Sequence, residues 1–257
     1  MPISRLIIAT NENDILHRFW QTGSYSKMHK QTKEPNGGFK EDGAEAHAGG
    51  VKETLSPAMD ILVSSNFERL LWHLSLEHEF DQNPHVRTEI STRAAGAKVS
   101  HWFKELKTTG SFKVDDEILD AAREIFSTYR VSDVETTTTI RDCYRGSSIA
   151  KAKYVLDPHS AIGVAASLRE IESSGSPDIQ VVSLATAHPA KFADAVDLAL
   201  RDEVGFDFNS VLPEQFKDLD SKKRRVVRVS RLEGLPGLRS IITKEVEKEK
   251  QVRCNGA

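Results

Sequence analysis

Residues 5–10, Arg-Leu-Ile-Ile-Ala-Thr, make a short continuous apolar run that predicts a buried β-strand. The polar stretch Asn11-Glu12-Asn13-Asp14 follows at once, and Ile15, Leu16, Phe19 and Trp20 then recur at helical spacing. Phe67, Leu70, Leu71, Leu74 and Leu76 give a second helical stripe, with Ser65 or Asn66 placed to cap its free N–H groups. A third helix is predicted from residue 91 to residue 107, with Ala97, Val99, Trp102, Phe103 and Leu106 inward and Gly110 as its stop. Asp115 is the expected cap of a fourth, which turns Ile118, Leu119, Ala122, Ile125 and Phe126 inward. Ser132 and Glu135 spell a capping box for a fifth, running to Tyr144, with Thr136-Thr137-Thr138-Thr139 as its exposed first turns. Residues 66–145 therefore read as a mainly helical segment.

The second half has a different rhythm. Residues 154–156 predict a short strand ending in Asp157-Pro158-His159. A helix follows with Ala161, Ile162, Val164, Ala165, Leu168 and Ile171 inward, closed by Gly175. Residues 179–185 predict another strand, ending in Thr186-Ala187-His188, and Pro189 suits the first turn of the helix after it, with Phe192, Ala195, Val196 and Leu198 inward. Residues 226–229 predict an edge strand, 238–250 a terminal helix, and 251–257 a frayed tail. Strands alternating with helices predict an α/β fold with a mainly parallel sheet. We expect one partial α/β domain over 1–257. Residues 32–50, rich in Gly, with Pro35 and small and charged residues between and Phe39 as the sole aromatic, predict a mobile inserted surface loop.

With 257 residues the chain can bury a substantial core. A net charge of -3 implies no general attraction to nucleic acid. The basic run Lys222-Lys-Arg-Arg reads as a solvated strand edge rather than a nucleic-acid patch. Cys143 and Cys254 have neither disulfide-framework nor metal-ligand spacing, and no metal is expected. No apolar run is long enough to span a bilayer and no leader pattern is legible, which together predict a cytoplasmic protein.

Ligands of open parallel sheets bind outside the carboxyl ends of the strands. Three predicted strands end there in polar clusters, at residues 10–14, 157–159 and 186–188, each leading into a helix N-terminus. Any one of them reads as a helix cap. Three together point equally to a small-molecule site for an anionic ligand.

Five spaced blocks carry a closer likeness. They are Ala9-Thr-Asn-Glu-Asn-Asp-Ile-Leu16, Thr54-Leu-Ser-Pro-Ala-Met-Asp-Ile61, Ser64-Ser-Asn-Phe-Glu-Arg-Leu-Leu71, Asp157-Pro-His159 with Gly163, and Ala185-Thr-Ala-His-Pro-Ala-Lys-Phe-Ala-Asp-Ala195. In this order the chain resembles fungal-type threonine synthase, from Ile3 to the C-terminal helix. The resemblance implies the C-terminal half of a fold-type-II enzyme dependent on pyridoxal 5′-phosphate (PLP), similar to the tryptophan synthase β chain. It implies conversion of O-phospho-L-homoserine and water to L-threonine and phosphate, with the cofactor as electron sink. By resemblance, Thr186 carries the hydroxyl that meets the pyridine nitrogen of PLP. Asn11, Asn13, Asp14, Ser56, Ser64, Asn66, Asp157, His159 and His188 are expected to line the active site, whereas Pro57 and Arg69 hold the scaffold.

The family's Schiff-base lysine and Asn-Phe-Gly phosphate loop precede the first of these blocks and have no counterpart here. The expectation is therefore an incomplete enzyme, inactive alone, with a missing N-terminal half. The alternatives are a non-catalytic paralogue that binds a ligand or partner, and one half of a split enzyme. Gly110-Ser-Phe-Lys113 imitates a PLP-lysine motif but falls between two helices, outside the strand–helix context that such a lysine needs.

Overall fold

A computed structural model describes residues 3–26, 50–82, 85, 89–146, 153–175, 179–224 and 226–255. The predicted loop at 32–50 lies outside the described residues except for Gly50. The chain divides into two compact units, Met1–Leu212 and Pro213–Ala257.

In the first unit, β1 (Leu6–Thr10) leads into α1 (Ile15–Thr22), as the switch in apolar spacing predicts. Ile15, Phe19 and Trp20 form the buried face of α1. The helix stops at Gly23, whose φ of 69° favours glycine, and a Cβ there would approach the Leu119 side chain to 3.1 Å. The chain then forms β2 (Ser24–Ser26), α2 (Phe67–Gln82), α3 (Glu89–Thr109), β3 (Ser111–Lys113), α4 (Asp116–Ile125), β4 (Phe126–Arg130) and α5 (Asp133–Arg145). α6 (Pro158–Ser174) and α7 (Ala193–Leu200) complete the elements that matter for the site. The class is α/β, as expected.

Two small sheets organise the unit. β1 pairs in parallel with β4, Leu6 opposite Phe126 through Thr10 opposite Arg130. β2 pairs antiparallel with β3. An aromatic core lies beside them: Phe19, Trp20, Tyr25, Phe67, Trp102 and Phe112 are buried together with Leu71, Leu106 and Ile118. A second core joins α5 and α7 through Ile140, Val196, Ala199 and Leu200. A third, small cluster of Val131, Ile162 and Ala165 places α6 beside the carboxyl end of β1.

Several expectations need correction. Phe126 does not continue a helix. α4 ends at Ile125 and the run Phe-Ser-Thr-Tyr-Arg becomes β4, because an aromatic and β-branched segment finds an open strand edge in β1. Residues 154–156, 179–185 and 226–229 form no strand and make no ladder among the described residues, since strand status needs a neighbouring backbone and not just apolar side chains. Asp115 stands at the N-cap of α4, yet its carboxylate pairs with Lys98 Nζ at 3.2 Å and makes no side-chain cap hydrogen bond. Thr136 and Thr139 are buried, not exposed. Each hydroxyl donates to the carbonyl four residues earlier, at 2.9 and 2.8 Å, which removes the cost of hiding it.

The capping box of α5 is present. The Glu135 N–H donates to Ser132 Oγ at 3.3 Å, and the Ser132 N–H donates to Glu135 Oε2 at 2.8 Å. Ser132→Ala is expected to destabilise the unit by about 1 kcal/mol, readable as a lower urea midpoint with unchanged slope. α6 closes at Gly175, as predicted.

The second unit consists mainly of α8 (Gly234–Asn255), preceded by short 3₁₀ turns. Residues 251–255, expected in the tail, continue this helix. No helix among the described residues is long and apolar enough to cross a membrane.

Candidate functional site

The Asp157-Pro158-His159 cluster forms the first turn of α6. Asp157 is its N-cap, and Oδ1 accepts the backbone N–H groups of His159 and Ser160 at 2.9 and 3.3 Å. Pro158 at the first position lacks the N–H that would otherwise need a partner. Asp157 Oδ2 accepts the Ser160 hydroxyl hydrogen. Burial acts to raise the Asp157 pKa, but the side-chain and backbone hydrogen bonds from His159 and Ser160 outweigh it and hold the carboxyl below its ordinary value.

His159 is buried beside Asp157. Its Nε2 accepts the Ala58 N–H at 3.1 Å, so the ring proton sits on Nδ1, which faces Asp157 Oδ1 at 3.2 Å. The ring also packs on Phe192, centroids 4.4 Å apart. Thr186 approaches from the irregular segment 179–187, and its N–H donates to Ser160 Oγ at 3.0 Å. The Thr186 hydroxyl is exposed and has no partner among the described residues.

A cavity of about 890 Å³ opens in front of this cluster. Its wall includes Ala9 at the end of β1, then His159, Gly163, Thr186, Ala187 and Phe192. The volume lies within the usual range for small-molecule sites.

The Asn11 cluster adjoins it through the 3₁₀ turn Pro57–Met59. The Asn11 amide nitrogen lies 2.9 Å from both Thr54 Oγ1 and Ser56 Oγ and 2.8 Å from Asp60 Oδ1. Asn13 donates to the Lys52 carbonyl at 2.8 Å and to Asp60 Oδ1 at 2.9 Å, and its own Oδ1 accepts the Lys52 N–H. This network is buried and closes on itself, so it fixes residues 52–60 against the end of β1. Asp14 instead accepts from Arg18 Nε at 2.8 Å and faces Arg130.

The structure thus joins Asn11, Asn13, Ser56, Asp157, His159 and Thr186 into one connected region. Of the ten expected site residues, His159 and Thr186 reach the cavity wall. Ser64 lies apart: its N–H donates to the Tyr25 hydroxyl at 2.8 Å. Asn66 is exposed and accepts from Arg69. His188 is exposed, and its ring caps the 3₁₀ turn Pro189–Lys191 through the Ala190 N–H. Sequence reasoning missed Ser160, Thr54 and Asp60. For Ser160 a signal existed: it stands three residues after the capping aspartate, where a hydroxyl returns to the cap. Lys113, in the PLP-lysine imitation, does end a strand, β3, just before α4, contrary to the expectation, but its exposed side chain pairs with Asp116 at 3.2 Å and does not line the cavity. Among the described residues no group of His, Cys, Asp and Glu side chains is placed to hold a metal.

The family model for the C-terminal part of threonine synthase matches residues 160–242. Threonine synthase of Saccharomyces cerevisiae is 44% identical over 232 residues, which cover 90% of this chain and 40% of that protein. The crystal structure of yeast threonine synthase superposes with a TM-score of 0.77 at 42% identity, covering 96% of this chain and 43% of that one. PLP-bound threonine synthase from Brucella melitensis superposes with a TM-score of 0.59 at 37% identity, covering 87% and 37%. The chain therefore spans about two fifths of the length of these relatives.

Proposed function

Because this chain belongs to the threonine synthase family, matching its C-terminal portion, we propose that it forms that portion of a PLP-dependent enzyme of threonine biosynthesis. The substrate would be O-phospho-L-homoserine, hydrated to L-threonine with release of phosphate.

The observation that carries this reading is the Thr186 hydroxyl. Among the described residues it has no partner, and it stands at the wall of a cavity large enough for the cofactor, while its own backbone is tied to a buried aspartate–serine pair. These residues fit PLP: a neutral hydroxyl suits a pyridine nitrogen that need not carry a permanent proton. Bound there, PLP would supply the electron sink for the reaction. Thr186 would hold its ring nitrogen and His159 would form part of the wall. Asn11, Asn13, Ser56 and Asp157 would act by holding that wall in place. Asp14, Ser64, Asn66 and His188, expected to line the active site, do not reach this cavity, and we assign them no contact in it.

These residues do not provide the family's Schiff-base lysine or phosphate loop, so we assign those parts to another stretch of polypeptide, in the same chain or a separate one. Sheet geometry supports the assignment. Parallel sheets are normally covered on both faces and continue beyond two strands. Here Leu6 at the β1 edge is 43% exposed, and Val182 and Leu184 of segment 179–187 are 74% and 76% exposed. A further strand from the remaining part of the enzyme would cover them. We place the assembled enzyme in the cytoplasm.

Co-expression with the N-terminal part of yeast threonine synthase tests the proposal. The expected result is a complex that shows the visible absorption of bound PLP and forms threonine from O-phospho-L-homoserine, while this chain alone does neither. Threonine formation by the chain alone would overturn the assignment of the lysine to another segment. An assembled complex without cofactor absorption would overturn the cofactor reading.

A further inference from the structure

We propose that Asp157 and Ser160 are positioning residues that set the Thr186 hydroxyl toward the cofactor ring nitrogen. The inference rests on the reading of Thr186 given above, and adds how that hydroxyl is held.

The direction of the hydrogen bonds follows from valence. An ionised carboxylate only accepts, so the single Ser160 hydroxyl hydrogen goes to Asp157 Oδ2. Ser160 Oγ then has only lone pairs to offer Thr186, and the Thr186 N–H fills one at 3.0 Å. Asp157 is 1% exposed and Ser160 3%, so water does not compete for either. Their low exposure and the favoured charged form of Asp157 make the chain from Thr186 N–H to Ser160 O–H to carboxylate one-way.

Both anchors lie on the rigid first turn of α6, where Asp157 also binds two backbone N–H groups and faces the His159 ring. Thr186 has no such support of its own. Residues 179–187 form no ladder among the described residues, and Leu184 and Ala185 beside it are exposed. Among the described residues the segment also lies close to α6 at Gly163. A Cβ on Gly163 would stand 2.9 Å from Ser183 Oγ, so the absence of a side chain there lets residue 183 lie against the helix. These two ties orient the segment and leave the Thr186 side chain free to face the cavity.

Ser160→Ala, Thr186→Ala and the double variant test this, with Ser160→Thr as the variant that keeps a hydroxyl. In the chain alone, amide hydrogen exchange at Thr186 should rise about five- to tenfold in Ser160→Ala, the loss of one hydrogen bond. The Val131 amide, which donates to the Thr10 carbonyl, should be unchanged and reports an intact fold. Unchanged exchange at Thr186 would overturn the tether, whatever the cofactor does. In the complex with the N-terminal part of the yeast enzyme, PLP itself is the probe, followed by its dissociation constant and visible absorption. Ser160→Ala should weaken PLP binding about fivefold or more and shift its absorption, with Ser160→Thr restoring both. In the Thr186→Ala background the same change should have no further effect, because the hydroxyl it orients is gone. Additive losses would mean that Ser160 acts on the fold at large, and would overturn the positioning role. If Thr186→Ala leaves PLP binding unchanged, the cofactor reading itself fails, even with the tether intact.

Discussion

Phe19→Ala is expected to destabilise the first unit by about 3–5 kcal/mol, a large share of the 5–15 kcal/mol that holds a typical domain folded. Phe19 is fully buried. Its ring meets Phe67 edge-on with centroids 4.9 Å apart, Trp20 at 5.2 Å and Tyr25 at 6.2 Å. Truncation removes those contacts and leaves a void that neighbouring rings from three separate elements, α1, β2 and α2, cannot fill without moving their backbones. The stacked series continues from Tyr25 to Phe112 and from Phe112 to Trp102, so the loss spreads to β3 and α3. Urea unfolding followed by far-UV circular dichroism and by tryptophan fluorescence checks this. Val134→Ala, on the exposed side of α5, is the control and should change stability by less than about 0.5 kcal/mol. Equal effects of the two substitutions would mean that the aromatic cluster does not hold the unit together.

Asp157→Ala should cost about 3–4 kcal/mol through a different mechanism. It strands two backbone N–H groups, the Ser160 hydroxyl and the ring N–H of His159 in a buried place, at about 1 kcal/mol each. It also carries a pH signature. The folded pKa of Asp157 is held below the unfolded value, which is about 3.9. Its stabilisation is therefore fully present above about pH 4, and is lost as pH falls through the folded value. The wild-type chain should show this additional loss on acidification below pH 4, whereas Asp157→Ala, already lacking it, should have a flatter profile there. Parallel acid profiles for the two proteins would show that Asp157 is not charged and paired in the native state.

Helices were the legible part of this chain, and their ends more so than their partners. The buried face of α1, the Ser132–Glu135 box and the Gly175 stop are each set by residues within one or two turns. The strands were less so. β4 pairs with a strand whose residues stand 120 positions earlier, as in Leu6 opposite Phe126, and a local apolar pattern carries no record of that neighbour. The same limit made residues 154–156 and 179–185 look like strands.

At the site, sequence alone determined the family, through five blocks in order, and the residue types: an aspartate before proline at a helix start, a histidine after it, a threonine at the end of an apolar run. Those features are local or collinear, so one dimension suffices to read them. Tertiary structure decided which of them meet. It joined Ser160 to Thr186 across 26 residues and His159 to the backbone of Ala58 across 101. It also closed Asn11 into a network with Thr54, Ser56 and Asp60, while leaving Ser64 and Asn66 elsewhere. The physical reason is that a buried polar group takes whichever partner the packed chain brings within about 3 Å, and that partner is chosen by the fold rather than by distance along the sequence.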